Sequence, residues 1–228
     1  MNFKLTCLFR LVFYMQIALF IFTNILGVLP IYFLVVKRNL LQKEVFYFLP
    51  SICLSIFSSV YELVFTFLLH YSTGYWFRIY LLLEFFTLFY FFYQLFTSRI
   101  VIALLYIFLV SFISYFIFLF FHWKVEDSLK TDSFLSVIST VFVYFFSFFW
   151  FRQVFVNFEI DDLFSSPTFI FLCGQLLYFS STLFLFLMSD YFLKEKKYDF
   201  LAFWQLNVFM CMVYRFFLLG ALYKGIKK

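Results

Sequence analysis

Long apolar blocks alternate with short polar breaks along the whole chain, at positions 11–36, 45–71, 75–97, 100–121, 133–156, 167–190 and 200–223. A membrane-crossing helix needs roughly 20 apolar residues rising 1.5 Å each, and every block meets that length. The pattern predicts an all-α, polytopic transmembrane helical bundle of about seven helices, forming a single domain over residues 1–228. Six spans result instead if residues 27–30, with Gly27 and Pro30, turn the first block into a re-entrant pair. The breaks carry turn chemistry. Lys37, Arg38, Asn39 and Lys43 form a basic turn, Ser72-Thr73-Gly74 the tightest turn, and Ser98-Arg99 a very short connection. Residues 122–132 make the most polar loop, 157–165 an acidic one and 194–199 the last. Ser166 followed by Pro167 is a good helix start, with serine as N-cap and proline at the first helical position, where its missing N–H costs nothing.

Composition sharpens the class. Hydrophobic residues make up 66% of the 228 and charged residues 13%, about half the charged share of a soluble domain, so a soluble fold is excluded. The 45 phenylalanines read mostly as lipid-facing filler. A net charge of +5, spread over short loops, is no nucleic-acid footprint, which needs a dense basic face. Cys7, Cys53, Cys173 and Cys211 lie in or beside apolar blocks without CxxC spacing, so buried free thiols are expected, with neither a disulfide framework nor a metal site. The basic start with Lys4 and Arg10 lacks a small-residue cleavage site and reads as a first helix.

Seven spans place eight Lys and Arg residues on each side of the membrane and leave Arg215 inside a helix. The loop asymmetry that sets orientation is therefore balanced. The compact basic turn at 37–43 and the trailing Lys224, Lys227 and Lys228 favour an outside N-terminus and an inside C-terminus.

Ionisable groups inside the hydrocarbon are costly and need a partner, a wet cavity or a neutral form. Glu62 lies nine residues before Tyr71 and Glu84 nine after Tyr75, on either side of the turn at 72–74, so both are about 13–14 Å deep and are expected at one level and close together. That pair is either a proton- or cation-responsive site or a hydrogen-bonded packing device. In the closing hairpin, 167–228, Gln175, Tyr178, Ser181 and Thr182 share one side of the first helix. Trp204, Asn207, Cys211 and Arg215 recur at helical spacing on one side of the second. These stripes should face protein, as interhelical glue or as a binding surface. Arg215 leans toward the carboxylate level and is expected to pair with Glu84 or Glu62. The candidate polar cluster is thus Glu62, Glu84, Gln175, Tyr178, Asn207 and Arg215.

His70 and His122 fall at helix ends on one membrane side, where solvated imidazoles are the default and a haem or metal held between them is the alternative. No HExxH, GxSxG, phosphate-binding glycine loop or EExxxR motif occurs, so no enzyme, cofactor or catalytic residue is expected.

The chain resembles a group of bacterial seven-helix integral membrane proteins, some standing alone and some preceding a cytoplasmic histidine kinase. The resemblance rests on Ile79-Tyr80-Leu81-Leu82-Leu83-Glu84-Phe85, on Pro167 followed by Leu177-Tyr178-Phe179-Ser180 and Leu183-Phe184-Leu185-Phe186, and on the helix bearing Trp204 and Asn207. It implies a bacterial inner-membrane location and a non-enzymatic sensor or accessory subunit. With no kinase domain before Lys228, signalling is expected to pass to a separate protein partner or through a homo-oligomer. The alternative is a small transporter or oligomeric pore, including accessory membrane proteins of defence systems. Repeated halves and broken helices, the usual marks of a transporter, are not evident in the sequence.

Overall fold

In a computed structural model, residues 2–70, 74–122, 128–157, 162–195 and 197–226 are described, with side chains for 14–70, 76–122, 132–156, 162–188 and 205–226. The expected loop positions 71–73 and 123–127 and the Trp204 side chain lie outside those sets. Helix α1 (Asn2–Val28) and α2 (Pro30–Val36) are separated only by Leu29, itself in helical conformation. Pro30 has no N–H to offer the preceding turn, and the ladder resumes with Tyr32 N donating to Leu29 O at 3.1 Å. The two form one membrane-length stretch, Tyr14–Val36, so the first block crosses once.

Helix α3 (Val45–Tyr61) runs on as a π-helix over Glu62–Leu68. There follow α4 (Gly74–Leu95), α5 (Arg99–Phe121), α6 (Ser128–Asn157), α7 (Pro167–Glu195) and α8 (Lys197–Lys224). Among the described residues, seven helical stretches are long and apolar enough to cross a membrane, from Tyr14–Val36 to Gln205–Lys224, and the chain is an integral membrane protein of seven-helix type. Helices α6, α7 and α8 each extend past their apolar blocks, α7 reaching Glu195 and α8 starting at Lys197, where a loop over 194–199 was expected. The start of α7 is as expected: Phe169 N donates to Ser166 Oγ at 3.3 Å and Pro167 opens the helix.

The helices form a ring. Helix α8 packs most extensively on α7 and closes back onto α1; α3 joins α1 to α4, and α6 joins α4 to α7. Helix α5 lies outside, against α4 and α6. One end is tied by short bonds: Leu41 bridges Ile226, Gln42 N donates to Gly225 O at 2.8 Å, and Thr168 Oγ1 donates to Glu44 Oε2 at 3.0 Å. The basic turn and the end of α8 therefore share one end of the bundle, as seven spans require.

Packing corrects the reading of phenylalanine as filler. Nine of the twelve largest fully buried side chains are phenylalanines. Phe171 of α7 stacks on Phe48 of α3 at 4.8 Å and meets Phe91 of α4 edge-on at 4.7 Å. Phe85 and Phe112 lie parallel at 3.8 Å. Between helices in lipid, apolar burial gives little net transfer energy, and association rests on van der Waals fit and interhelical bonds. Large flat rings supply that fit, each well-set pair adding about 0.5–1.5 kcal/mol. The thiols also depart from expectation: Cys53 is exposed, and Cys173 and Cys211 are half-buried.

Candidate functional site

Arg215 is buried, with 7% of its surface exposed, and it points across the bundle to α1. One guanidinium nitrogen donates to Thr23 O at 2.7 Å and to Asn24 Oδ1 at 3.1 Å. Asn24 in turn donates through Nδ2 to Phe20 O at 3.1 Å, so its amide is engaged on both sides. Gly27 makes the space. A Cβ there would lie 3.1 Å from Arg215 Cζ and 1.9 Å from Ser59 Oγ. Ser51, Ser55, Ser58 and Ser59 line the buried side of α3, small enough to bring it close.

The expected pairing of Arg215 with Glu84 or Glu62 is not found. Among the described residues the ion pair is Arg78 with Asp132, at 3.0 Å and nearly fully buried between α4 and α6. The reason lies in the packing of α8, which meets α1 along the face carrying Arg215. A carbonyl and an amide oxygen there reach the cation first.

Glu84 is 6% exposed on α4, where Tyr80 donates to its Oε1 at 3.3 Å. Glu62 is half-buried at the first position of the π-helix and accepts from Ser58 Oγ at 3.2 Å. No hydrogen bond or ion pair joins the two carboxyl groups among the described residues. Tyr61, just before Glu62, stacks on Trp76 at 4.5 Å, two turns before Glu84 on α4. Cys211 lies one turn before Arg215 on α8 and is half-buried.

Helices α7 and α8 complete the cluster. Gln175, 2% exposed, donates through Nε2 to the Tyr214 hydroxyl at 2.7 Å, and the Tyr214 ring stacks on Tyr178 at 5.4 Å. Gly174 allows this approach, since a Cβ there would come within 2.5 Å of Phe217 Cβ. Two buried acceptors are left over: among the described residues, Gln175 Oε1 and Asn207 Oδ1 have no hydrogen-bond partner. Thus Gln175 and Tyr178 meet at Tyr214, while Arg215 turns to α1 and Glu84 and Glu62 each accept from a hydroxyl of their own helical stretch. Asn207 sits one turn before Cys211 on α8.

Thr23, Asn24, the α3 serines, Tyr214 and the Arg78–Asp132 pair were not singled out from sequence. The serines recur at three- and four-residue steps leading to Glu62, and Thr23-Asn24 is a polar dipeptide inside an apolar block, so both signals were present. Among the described residues, no three His, Cys, Asp or Glu side chains gather as metal ligands. The histidines stand apart from the cluster: both are exposed, His122 bonding Phe118 O through Nδ1 at 2.8 Å.

Comparison of the chain with protein-family models, with characterised proteins and with solved structures returns no match.

Proposed function

We propose that the chain is a non-enzymatic sensor or accessory subunit of a bacterial inner membrane, passing a change at its polar core to a protein partner. The observation that supports this reading is the incomplete bonding of that core. Gln175 Oε1 and Asn207 Oδ1 are buried without partners among the described residues. A buried polar group left unpaired costs about 1–3 kcal/mol. A rearrangement, proton or small ligand that satisfied them would gain on that scale, enough to shift the balance between two packings by a factor of ten. The test is photocrosslinking in membranes of the source organism, from probes at Leu40 and Tyr223 at the tied end of the bundle. A discrete protein adduct is expected, its yield changing severalfold in Gln175→Met and Glu84→Gln while the melting temperature of the chain moves little. An adduct pattern indifferent to both substitutions overturns the reading.

A second reading has its own support. Transporters place discontinuous helices at their binding sites, and α3 changes its hydrogen-bond pattern at Glu62. A small transporter or oligomeric pore would conduct protons or cations in proteoliposomes, with flux lost in Glu62→Gln. Sealed vesicles without flux above the empty control remove this alternative.

A further inference from the structure

Phe171 of α7 meets Phe48 of α3 and Phe91 of α4, at 4.8 and 4.7 Å, across the middle of the bundle. Helix α7 packs mainly on α6 and α8, and α3 and α4 lie across from it. All three side chains are wholly buried. They stand one turn inside the tied end: Phe48 is three residues from the start of α3, Phe171 four from the start of α7 and Phe91 four from the end of α4. One turn nearer that face, Thr168 Oγ1 donates to Glu44 Oε2, so the mouth joins the same two elements, α7 and the start of α3.

Behind the rings the side chains turn polar. One turn deeper than Phe48 and Phe171 lie Ser51 and Gln175, and Ser51 Oγ and Gln175 Oε1 are buried with no hydrogen-bond partner among the described residues. Two turns deeper, seven residues from each ring and so on the same helix face, stand Ser55 of α3, Glu84 of α4 and Tyr178 of α7, each more than nine-tenths buried. Seven residues at 1.5 Å each put that polar layer about 10 Å beyond the rings. From the tied end inward, the order is therefore a carboxylate, three aromatic rings, and a polar zone holding a second carboxyl group.

We propose that Phe48, Phe91 and Phe171 form a closed aromatic gate, which opens to pass water and small cations from the tied-end face to the polar layer. Ring contacts suit a gate. In lipid they draw little transfer energy from burial and hold by fit, so parting them costs only the contacts that Phe171 makes. Behind them, the unpartnered oxygens of Ser51 and Gln175 gain hydrogen bonds once water enters. Charge favours cations: Glu44 stands at the mouth and Glu84 in the inner layer, while Arg215 turns away to α1. The faces of aromatic rings also attract a cation. Such access does not depend on whether the core then signals to a partner, so thiol labelling and partner crosslinking can fail separately.

The test is thiol labelling of the full chain in sealed vesicles. With Cys7, Cys53, Cys173 and Cys211 replaced by alanine, Ser55→Cys meets a cationic, membrane-impermeant methanethiosulfonate from each side in turn. Lys43→Cys, at an exposed position of the tied end, identifies the side. Ser55→Cys should label slowly, and only from the side that labels Lys43→Cys. Phe171→Ala removes both ring contacts and should raise that rate about tenfold or more. Phe142→Ala, an equally buried ring packed on Phe85 and Phe108, should leave it within about twofold. If Phe171→Ala does not fold, Phe48→Ala, which removes the stack alone, takes its place. Entry from the opposite side, a rate unchanged by either gate substitution, or an equal rise in Phe142→Ala overturns the gate. An anionic methanethiosulfonate that labels Ser55→Cys as fast as the cationic one, each relative to its rate on a small thiol in solution, overturns the cation preference.

Discussion

Gly27→Ala tests whether the Arg215 socket is as tight as its geometry indicates. The added Cβ would fall 1.9 Å from Ser59 Oγ, 3.0 Å from Ser59 Cβ and 3.1 Å from Arg215 Cζ, so something must move. Rotating the Ser59 hydroxyl away breaks its 2.8 Å bond to Ser55 O, a loss of about 1 kcal/mol. The remaining two contacts strain a packed interface, and overpacking of this kind costs roughly 1–3 kcal/mol. Against these stands the intrinsic preference of a helix for alanine over glycine, about 1 kcal/mol. The net is a destabilisation of about 1–3 kcal/mol, or a drop in detergent melting temperature of roughly 3–10 °C for a chain of this length. Two companions make the reasoning specific. Ser59→Ala in the Gly27→Ala background removes the closest clash and should recover part of the loss. Gly220→Ala, whose Cβ would meet Ile170 Cγ2 at an ordinary 3.6 Å, should be neutral or slightly stabilising. If Gly27→Ala melts at or above the parent temperature, α1 and α3 are not packed as described and Arg215 has room that the structure denies it.

The remaining predictions address single bonds. Arg215→Met should cost about 2–4 kcal/mol through lost charge-assisted bonds. A double-mutant cycle should show coupling above about 1 kcal/mol with Asn24→Leu and little with Glu84→Gln, read from thermal melts. Arg78→Met leaves Asp132 buried and uncompensated, so it should cost about 3–5 kcal/mol, and adding Asp132→Asn should restore much of that in the same assay. Asp162, outside the spans, has its carboxyl held below the usual range by the Ser165 hydroxyl, helped by the Phe164 N–H at 3.1 Å. A lowered folded-state pKa means that its cap is fully present above the unfolded value of about 3.9 and is lost as pH falls through the folded one. Hydrogen exchange at the Phe164 and Ser165 amides should therefore accelerate only below about pH 4, and in Asp162→Ala at every pH.

The seven spans were legible because a bilayer imposes one length on every apolar block, and because Ser166 and Pro167 mark a helix start by local chemistry alone. The α8 stripe was legible too, since Asn207, Cys211 and Arg215 obey the helical period. Its partner was not. The π-helix at Glu62–Leu68 changes both rise and rotation, and no residue in that segment announces the switch. The phenylalanine core was hidden for a different reason: when nearly every face is apolar, composition loses the contrast that separates core from surface. Phe91 and Tyr90 differ in burial through their position on α4, which only the neighbours decide.

Satisfying Arg215 from α1 has a consequence for the acids. Its bonds go to a backbone carbonyl and an amide, groups that do not titrate, so the joint between α8 and α1 holds whatever the protonation of the core. The Arg78–Asp132 pair similarly ties α4 to α6 outside the cluster. Glu84 and Glu62 are thereby left with hydroxyl donors, Tyr80 and Ser58, each from its own helix. A change at either carboxyl group thus acts first on a hydroxyl of its own stretch, Tyr80 on α4 or Ser58 on α3, and leaves the bonds from Arg215 to α1 in place. The Arg215 joint is independent of carboxyl protonation, whereas the Arg78–Asp132 tie is a salt bridge only while Asp132 is ionised.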